Sequence, residues 1–164
     1  MIIQPYTPNY QAQVIDLILS IQCDELSVAI DLTDQPDLLE IPNFYQQNRG
    51  NFWIAINRDR VIGTIGLIDV GTSFGVLRKM FVQKDYRGKH IGVGQQLLET
   101  LLKWSAKQQF SQIYLGATNR YKAAHRFYEK NGFIEITTNQ LPPQFPRMEV
   151  DTKFYCYHLK TQDQ

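Results

Sequence analysis

The sequence predicts an α/β fold: a mixed central sheet flanked by helices. Two observations predict it. β-rich runs bounded by turn residues fill residues 51–82, and the hydrophobic period then changes to a helical one just after residue 91. From there strand-like and helix-like runs alternate to the C-terminus.

Taken in order, Met1 to Gln4 reads as a short strand that Pro5 and Pro8 end. Val14, Ile15, Leu17, Ile18 and Ile21 recur at helical spacing and predict a helix over 10–22. Leu38 to Gln47 reads as a second short helix with Pro42 in its first turn. Asn51 to Asn57, Arg60 to Val70 and Phe74 to Val82 read as strands, the first two joined by an Asn57–Arg60 hairpin. Gly63 and Gly66 imply a bulge or a close backbone approach. Gly94, Leu97, Leu98, Leu101 and Leu102 then form an apolar stripe, with Glu99 and Lys103 as an i,i+4 pair outside it. Ser111 to Leu115 is a buried strand. Asn119 to Lys130 is a helix that Asn131-Gly132 stops, and Phe133 to Ile136 and Val150 to Leu159 are the last strands.

Length and composition fit one domain over residues 1–164. Hydrophobic residues make up 43% of the 164, enough to bury a proper core. The net charge of +1 supplies no global field that would draw in nucleic acid or a membrane surface, so any anion site must be local. Cys23 and Cys156 lie far apart without metal-ligand spacing and read as reduced core thiols of a cytoplasmic protein. No metal is expected. The N-terminal MIIQPYTPNY has no basic segment leading into an apolar one, so no signal peptide is expected. No apolar run approaches the ~18 residues of a membrane span.

YRGKHIGVGQQLL, residues 86–98, places basic residues and three glycines at the start of a helix. A helix start leaves its first amides without partners, and with the helix dipole it favours an anion. Glycines at 88, 92 and 94 let a ligand approach the backbone, and Arg87 and Lys89 add charge. Several donors in a row suit two adjacent phosphates. GxxxxGK(S/T) is absent, and Gly92-Val93-Gly94 lacks the third glycine of a dinucleotide fingerprint.

One strand and one helix later comes AAHRFYEKNGF, residues 123–133. Together the two segments resemble the GNAT acetyltransferase superfamily, which implies a mixed, mostly antiparallel central sheet of about six to seven strands flanked by helices. Its pyrophosphate loop, Q/R-x-x-G-x-G/A, corresponds to Arg87-Gly88-Lys89-His90-Ile91-Gly92, with His90 where glycine is most frequent. Its A…YEK-x-GF signature corresponds to Ala124 with Tyr128-Glu129-Lys130-Asn131-Gly132-Phe133. LRKMFVQKDYRG, residues 77–88, matches the family's lead-in strand. The resemblance implies acetyl-CoA as cosubstrate, its pyrophosphate on the amides of residues 87–92 and of Val93 at the helix start. It implies a pantetheine arm alongside Met80, Phe81 and Val82, reached through the backbones of Met80 and Val82. It implies Tyr128 as general acid to the leaving thiolate. An asparagine near Asn119 bonds the cofactor in some relatives, and Asn119 also reads as the cap of its helix.

The acceptor implied is a primary amine of a small molecule or peptide. Relatives often carry a glutamate on the fourth strand as base, where this chain has Val76. That leaves Glu40, Asp69 or a chain of waters. Phe44, Tyr45, Trp53, Phe145 and Tyr155 are candidates to line the acceptor site or to serve as core. The acidic stretch Asp24 to Glu40 holds no Lys or Arg and reads as an attractor for a cationic amine or as a solvated face. The segment 142–157 reads as a closure over the acceptor or as a homodimer contact. Two other readings remain: an idle acyl-CoA-binding module, which the missing strand glutamate favours, and a nucleic-acid binder using Arg78, Lys79, Lys84, Arg87 and Lys89, which the net charge opposes.

Overall fold

The computed structural model describes residues 1–88 and 90–160. Seven strands form one sheet in the order β1-β2-β3-β4-β5-β7-β6. They are β1 (Ile2–Pro5), β2 (Asn51–Asn57), β3 (Arg60–Asp69), β4 (Phe74–Val82), β5 (Gln112–Ala117), β6 (Ile134–Ile136) and β7 (Lys153–His158). Every neighbouring pair is antiparallel except β4 and β5, which run parallel. The helices are α1 (Gln11–Leu19), α2 (Ile41–Phe44), α3 (Val93–Lys107) and α4 (Lys122–Lys130).

Each face of the sheet carries its own core. On one, Val14 and Ile18 of α1 and Ile41 of α2 pack with Phe52, Ile54 and Val76. On the other, Leu97, Leu98 and Leu101 of α3 pack with Ile65, Leu67 and Ile113. The expected α3 stripe is thus the buried face, and each of those leucines contributes about 1.5–3 kcal/mol by leaving water. Gly63 shows how closely the helix sits. A Cβ there would lie 2.9 Å from Leu97 Cδ1 and 3.2 Å from Val93 Cγ1, so the close approach expected at Gly63 is made by α3.

The β2–β3 hairpin turns through Arg58 and Asp59, both left-handed (φ 52° and 63°), as a two-residue turn between twisted strands requires. After α1 the chain widens into a π-helical turn, Ser20–Glu25, and the segment to α2 is built of 3₁₀ turns. The expected first helix is therefore α1 plus this wider turn. The turn leaves Cys23 exposed, so only Cys156 is the core thiol that the sequence suggested for both. α4 begins at Lys122 with Tyr121 as its N-cap, not at Asn119. Pro42 does occupy the first turn of α2. No helix among the described residues is long and apolar enough to cross a membrane.

Candidate active site

The parallel β4–β5 ladder holds for three pairs, Phe74 with Gln112, Gly75 with Ile113 and Val76 with Tyr114, and then stops. β4 continues to Val82 and β5 to Ala117, so the two strands part in mid-sheet. A bulge in β4 accompanies the parting. Thr64 pairs with Phe81 and Gly66 with Arg78, which leaves one extra residue on β4. Lys79 takes up that excess at a left-handed φ of 55°, and its carbonyl accepts a 2.7 Å hydrogen bond from Thr64 Oγ1. A bulge bends its strand and re-aims the side chains beside it.

Backbone direction follows from one bond. Gln83 N–H donates to Ile62 O across the sheet at 2.8 Å. Strand alternation then turns the backbone groups of Val82 and Met80 the other way, toward the gap where β5 is missing. These are the two backbones from which a pantetheine arm was expected to hang.

Two cavities open at the gap. One, of about 650 Å³, runs from Met80 and Val82 past Gly88, Gly92 and Gly94 to Arg126 and Asn131. The other, of about 150 Å³, is bordered by Arg78, Lys79, Gly116, Phe145 and Asp151. They share Met80, Tyr121, Ala124 and Tyr128.

The larger cavity is lined by Arg87, Gly88, Gly92 and Gly94, residues of the stretch from which the sequence predicted an anion site. Gly92 is the N-cap of α3 at φ 71° and offers no side chain to the helix's first amides. Those amides face the dipole end of a 15-residue helix without intrahelical acceptors. The amides of Ile91 and Gly92 are engaged differently from the expectation. Both donate to Gly88 O, at 3.3 and 3.1 Å, and so close the turn on itself. His90 and Ile91 are exposed, and Lys89 lies outside the described residues. Arg87 is held on two sides. Its Nε donates to Val82 O at 2.8 Å, and its two terminal nitrogens meet the Glu25 carboxylate at 2.8 and 2.9 Å. The guanidinium carbon lies 5.8 Å from the Tyr121 ring centre. Asn131 ties the walls together, accepting from Gln95 Nε2 of α3 and donating to Phe127 O of α4, each at 2.9 Å.

Tyr128 stands at the junction. Its ring is buried, with Phe133 and Tyr155 centroids at 5.5 and 6.1 Å. Its hydroxyl makes no hydrogen bond to any described residue, although it lines both cavities. Burial pushes the phenol well above its ordinary pKa, and Tyr121 and Tyr155 push it the same way. A hydroxyl that stays protonated and bonds no described residue is open to a group in either cavity.

The smaller cavity is polar on one side. Lys79 is buried and meets Asp37 at 3.7 Å, while its ammonium also donates to Gln35 Oε1. Burial lowers Lys79 to about 8, against the pull of Asp37. Gln22 and Gln35 exchange amide hydrogen bonds of 3.0 and 2.8 Å, and Tyr45 donates to Asp37 at 2.6 Å. The acidic stretch is thus used within the fold: Glu25 pairs with Arg87, Asp37 with Lys79, and Asp31 and Asp34 form a capping box.

Other candidates are placed as follows. Asp69 sits away from both cavities, paired to Arg49 at 3.1 Å, and Glu40 is an exposed turn residue. Asn119 is exposed and lines neither cavity, its amide donating to Thr152 Oγ1 at 3.0 Å. Tyr45, Trp53 and Tyr155 belong to the cores, Phe44 is exposed, and Phe145 borders the smaller cavity. The cavity-side residue that sequence reasoning missed is Asp151. It lies in an irregular segment beyond three prolines, and only the sheet brings it to Gly116.

Residues 48–135 match the Acetyltransferase (GNAT) domain family model. A GNAT-family acetyltransferase of Staphylococcus aureus is similar in structure at a TM-score of 0.93 and 41% identity, over 97% of this chain and 99% of that one. An acetyltransferase of Streptococcus agalactiae follows at 0.92 and 32%, over 96% and 98%. Among curated relatives, human N-acetyltransferase 8B is 25% identical over 79% of this chain and 59% of its own length. The Danio rerio N-acetylaspartate synthetase is 27% identical over 77% and 45%. The chain therefore spans only about half the length of these curated relatives. On its domain match, its strand order with the parted β4 and β5, and its full-length structural likeness, the chain belongs to the GNAT acetyltransferase family.

Proposed function

We propose that the protein is an N-acetyltransferase that moves the acetyl group of acetyl-CoA onto a primary amine of a small molecule or peptide. The observation that carries this reading is the meeting of two cavities at Tyr128, beside the gap between β4 and β5. The larger cavity has the chemistry of a CoA site. The first turn of α3, Arg87 and Gly88 offer donors and open backbone to a pyrophosphate. The outward backbones of Met80 and Val82 offer a pantetheine arm the pairing that β5 does not make. Both curated relatives named above are N-acylating by name, which supports nitrogen as the atom acylated.

In this reading the amine nitrogen attacks the thioester carbonyl carbon from the smaller cavity. A C–N bond forms, the C–S bond breaks, and the amine loses one proton as the thiolate gains one. Tyr128 gives its proton to the sulfur. The burial that raises the phenol acts in the same direction on the leaving thiol. The fixed backbone donors of the β4 edge act on the oxyanion without reorganising.

The test is calorimetric titration with acetyl-CoA, then release of free thiol over a panel of amines. Binding with turnover is the expected result. Binding without turnover on any amine would leave the idle acyl-CoA module, and no binding would remove the reading altogether.

A further inference from the structure

We infer that the acceptor is a small zwitterion of the amino-acid type, its carboxylate on Arg78 and its ammonium on Asp151. This rests on the N-acetyltransferase reading and specifies the substrate of that same site.

The inference comes from the charges around the smaller cavity. Lys79 and Asp37 cancel as a buried pair. Arg78 and Asp151 both line the cavity, yet no ion pair within 4.0 Å joins them or links either to another described residue. Arg78 is half-buried, and its partners are poor. One terminal nitrogen reaches the Met148 thioether at 3.5 Å, and the guanidinium lies 5.8 Å from the Phe44 ring centre. A guanidinium has five donors in a fixed fork, and a carboxylate is the group that matches them.

Asp151 is the opposite charge. Its carboxylate lies against the backbone of Gly116, where an added Cβ would be 2.5 Å from Oδ2. Gly116 is two residues past the last β4–β5 pair, so the carboxylate sits at the parting of the strands. The one hydrogen bond it accepts from a described residue is a long one, 3.4 Å from Met148 N. Burial raises its pKa, while Met148 N–H and the charges of Arg78, Lys79 and Arg147 act against the rise. A carboxylate of raised affinity for protons suits an ammonium that must give one up. The ammonium first gives one proton to Asp151, which frees the lone pair that attacks; the second proton, lost as the amide forms, replaces the one that Tyr128 gives to the sulfur, and Asp151 fills the role that Val76 cannot.

Size agrees. A cavity of about 150 Å³ lies below the common range for drug-sized ligands, about 300–1,000 Å³, and suits a small acceptor. Val28, Ile30, Phe145 and Val150 give it an apolar side.

The test compares free amino acids with the amines made by removing their carboxylates: leucine with isoamylamine, phenylalanine with phenethylamine, glycine with methylamine. Thiol release gives kcat/KM for each, after acetyl-CoA binding has been confirmed by calorimetry. The amino acid should exceed its amine by at least about tenfold, as a charge-assisted bidentate contact would give. Arg78→Gln should bring that ratio to within about twofold of one through KM, and Arg78→Lys should restore part of it. Equal or better use of the carboxylate-free amines overturns the inference. So does failure of every compound to react while acetyl-CoA still binds. Failure to bind acetyl-CoA would instead sink the N-acetyltransferase reading and this inference with it.

Discussion

Replacing Tyr128 with phenylalanine removes one hydroxyl and nothing else. The ring keeps its neighbours Phe133, Tyr155 and Phe127, at 5.5, 6.1 and 5.7 Å. The lost oxygen has no hydrogen-bond partner among the described residues, so no donor or acceptor is left stranded. Stability should therefore change by no more than about 0.5 kcal/mol. The effect on chemistry should be large. General acid catalysis contributes about 10²–10⁴-fold, so kcat should fall by about 10²-fold or more, close to 3 kcal/mol of barrier. The dissociation constant for acetyl-CoA should stay within about twofold, because the hydroxyl is asked to act on the leaving sulfur and not on the bound cofactor. Stopped thiol-release assays give kcat, calorimetry gives affinity, and a urea melt checks the fold. A variant with unchanged kcat on a good amine would refute the reasoning and return Tyr128 to the core as a packing residue.

Other expectations follow from the same geometry. Arg87→Ala removes a guanidinium fixed by Val82 O and Glu25 at the mouth of the larger cavity, so acetyl-CoA affinity should fall about tenfold with the fold intact, measured by calorimetry. Gly92→Ala forces a side chain into φ 71° at the start of α3, which should cost about 1–2 kcal/mol in urea unfolding. Lys79 gives a pH signature. Burial brings it to about 8 in the folded chain, below the ordinary lysine value of about 10.4. Between those values the unfolded chain holds a proton that the folded chain has released, so this contribution to stability rises with pH and is flat below the window. The unfolding free energy of the wild type relative to Lys79→Met should therefore rise by about 2 kcal/mol from about pH 7.5 to about pH 10. A difference that is constant or falls over that range would contradict the burial of Lys79.

Local patterning made much of this fold legible. β2 and β4 have the bounds that their apolar runs suggest, and the α3 stripe is the face that packs on β3. Gly88 and Gly92 are both left-handed, as glycines in a tight phosphate loop would be. Tyr128 lay in a motif whose order and spacing marked it. What the sequence concealed depends on contacts between distant segments. The break in the β4–β5 ladder is accompanied by a bulge at Lys79, and lysine is no signal for a left-handed residue. Asp37 reads as one more surface carboxylate until Lys79, more than forty residues later, is seen buried against it. Asp151 lies in a loop with no periodicity, and its place beside Gly116 follows only from the pairing of β7 with β5. The start of α4 was misplaced because Asn119 is a good capping residue by type, whereas the chain continues in a turn through Tyr121 before the helix begins.

The central claim is that acetyl-CoA lies across the gap between β4 and β5 with its thioester at Tyr128. A crystal structure with bound coenzyme A tests it most directly. The pyrophosphate should lie over the first turn of α3, the pantetheine arm should bond to the Met80 and Val82 backbones, and the sulfur should come within hydrogen-bonding reach of the Tyr128 hydroxyl. A pyrophosphate bound elsewhere, or a sulfur turned away from Tyr128 with the arm outside the gap, would contradict it.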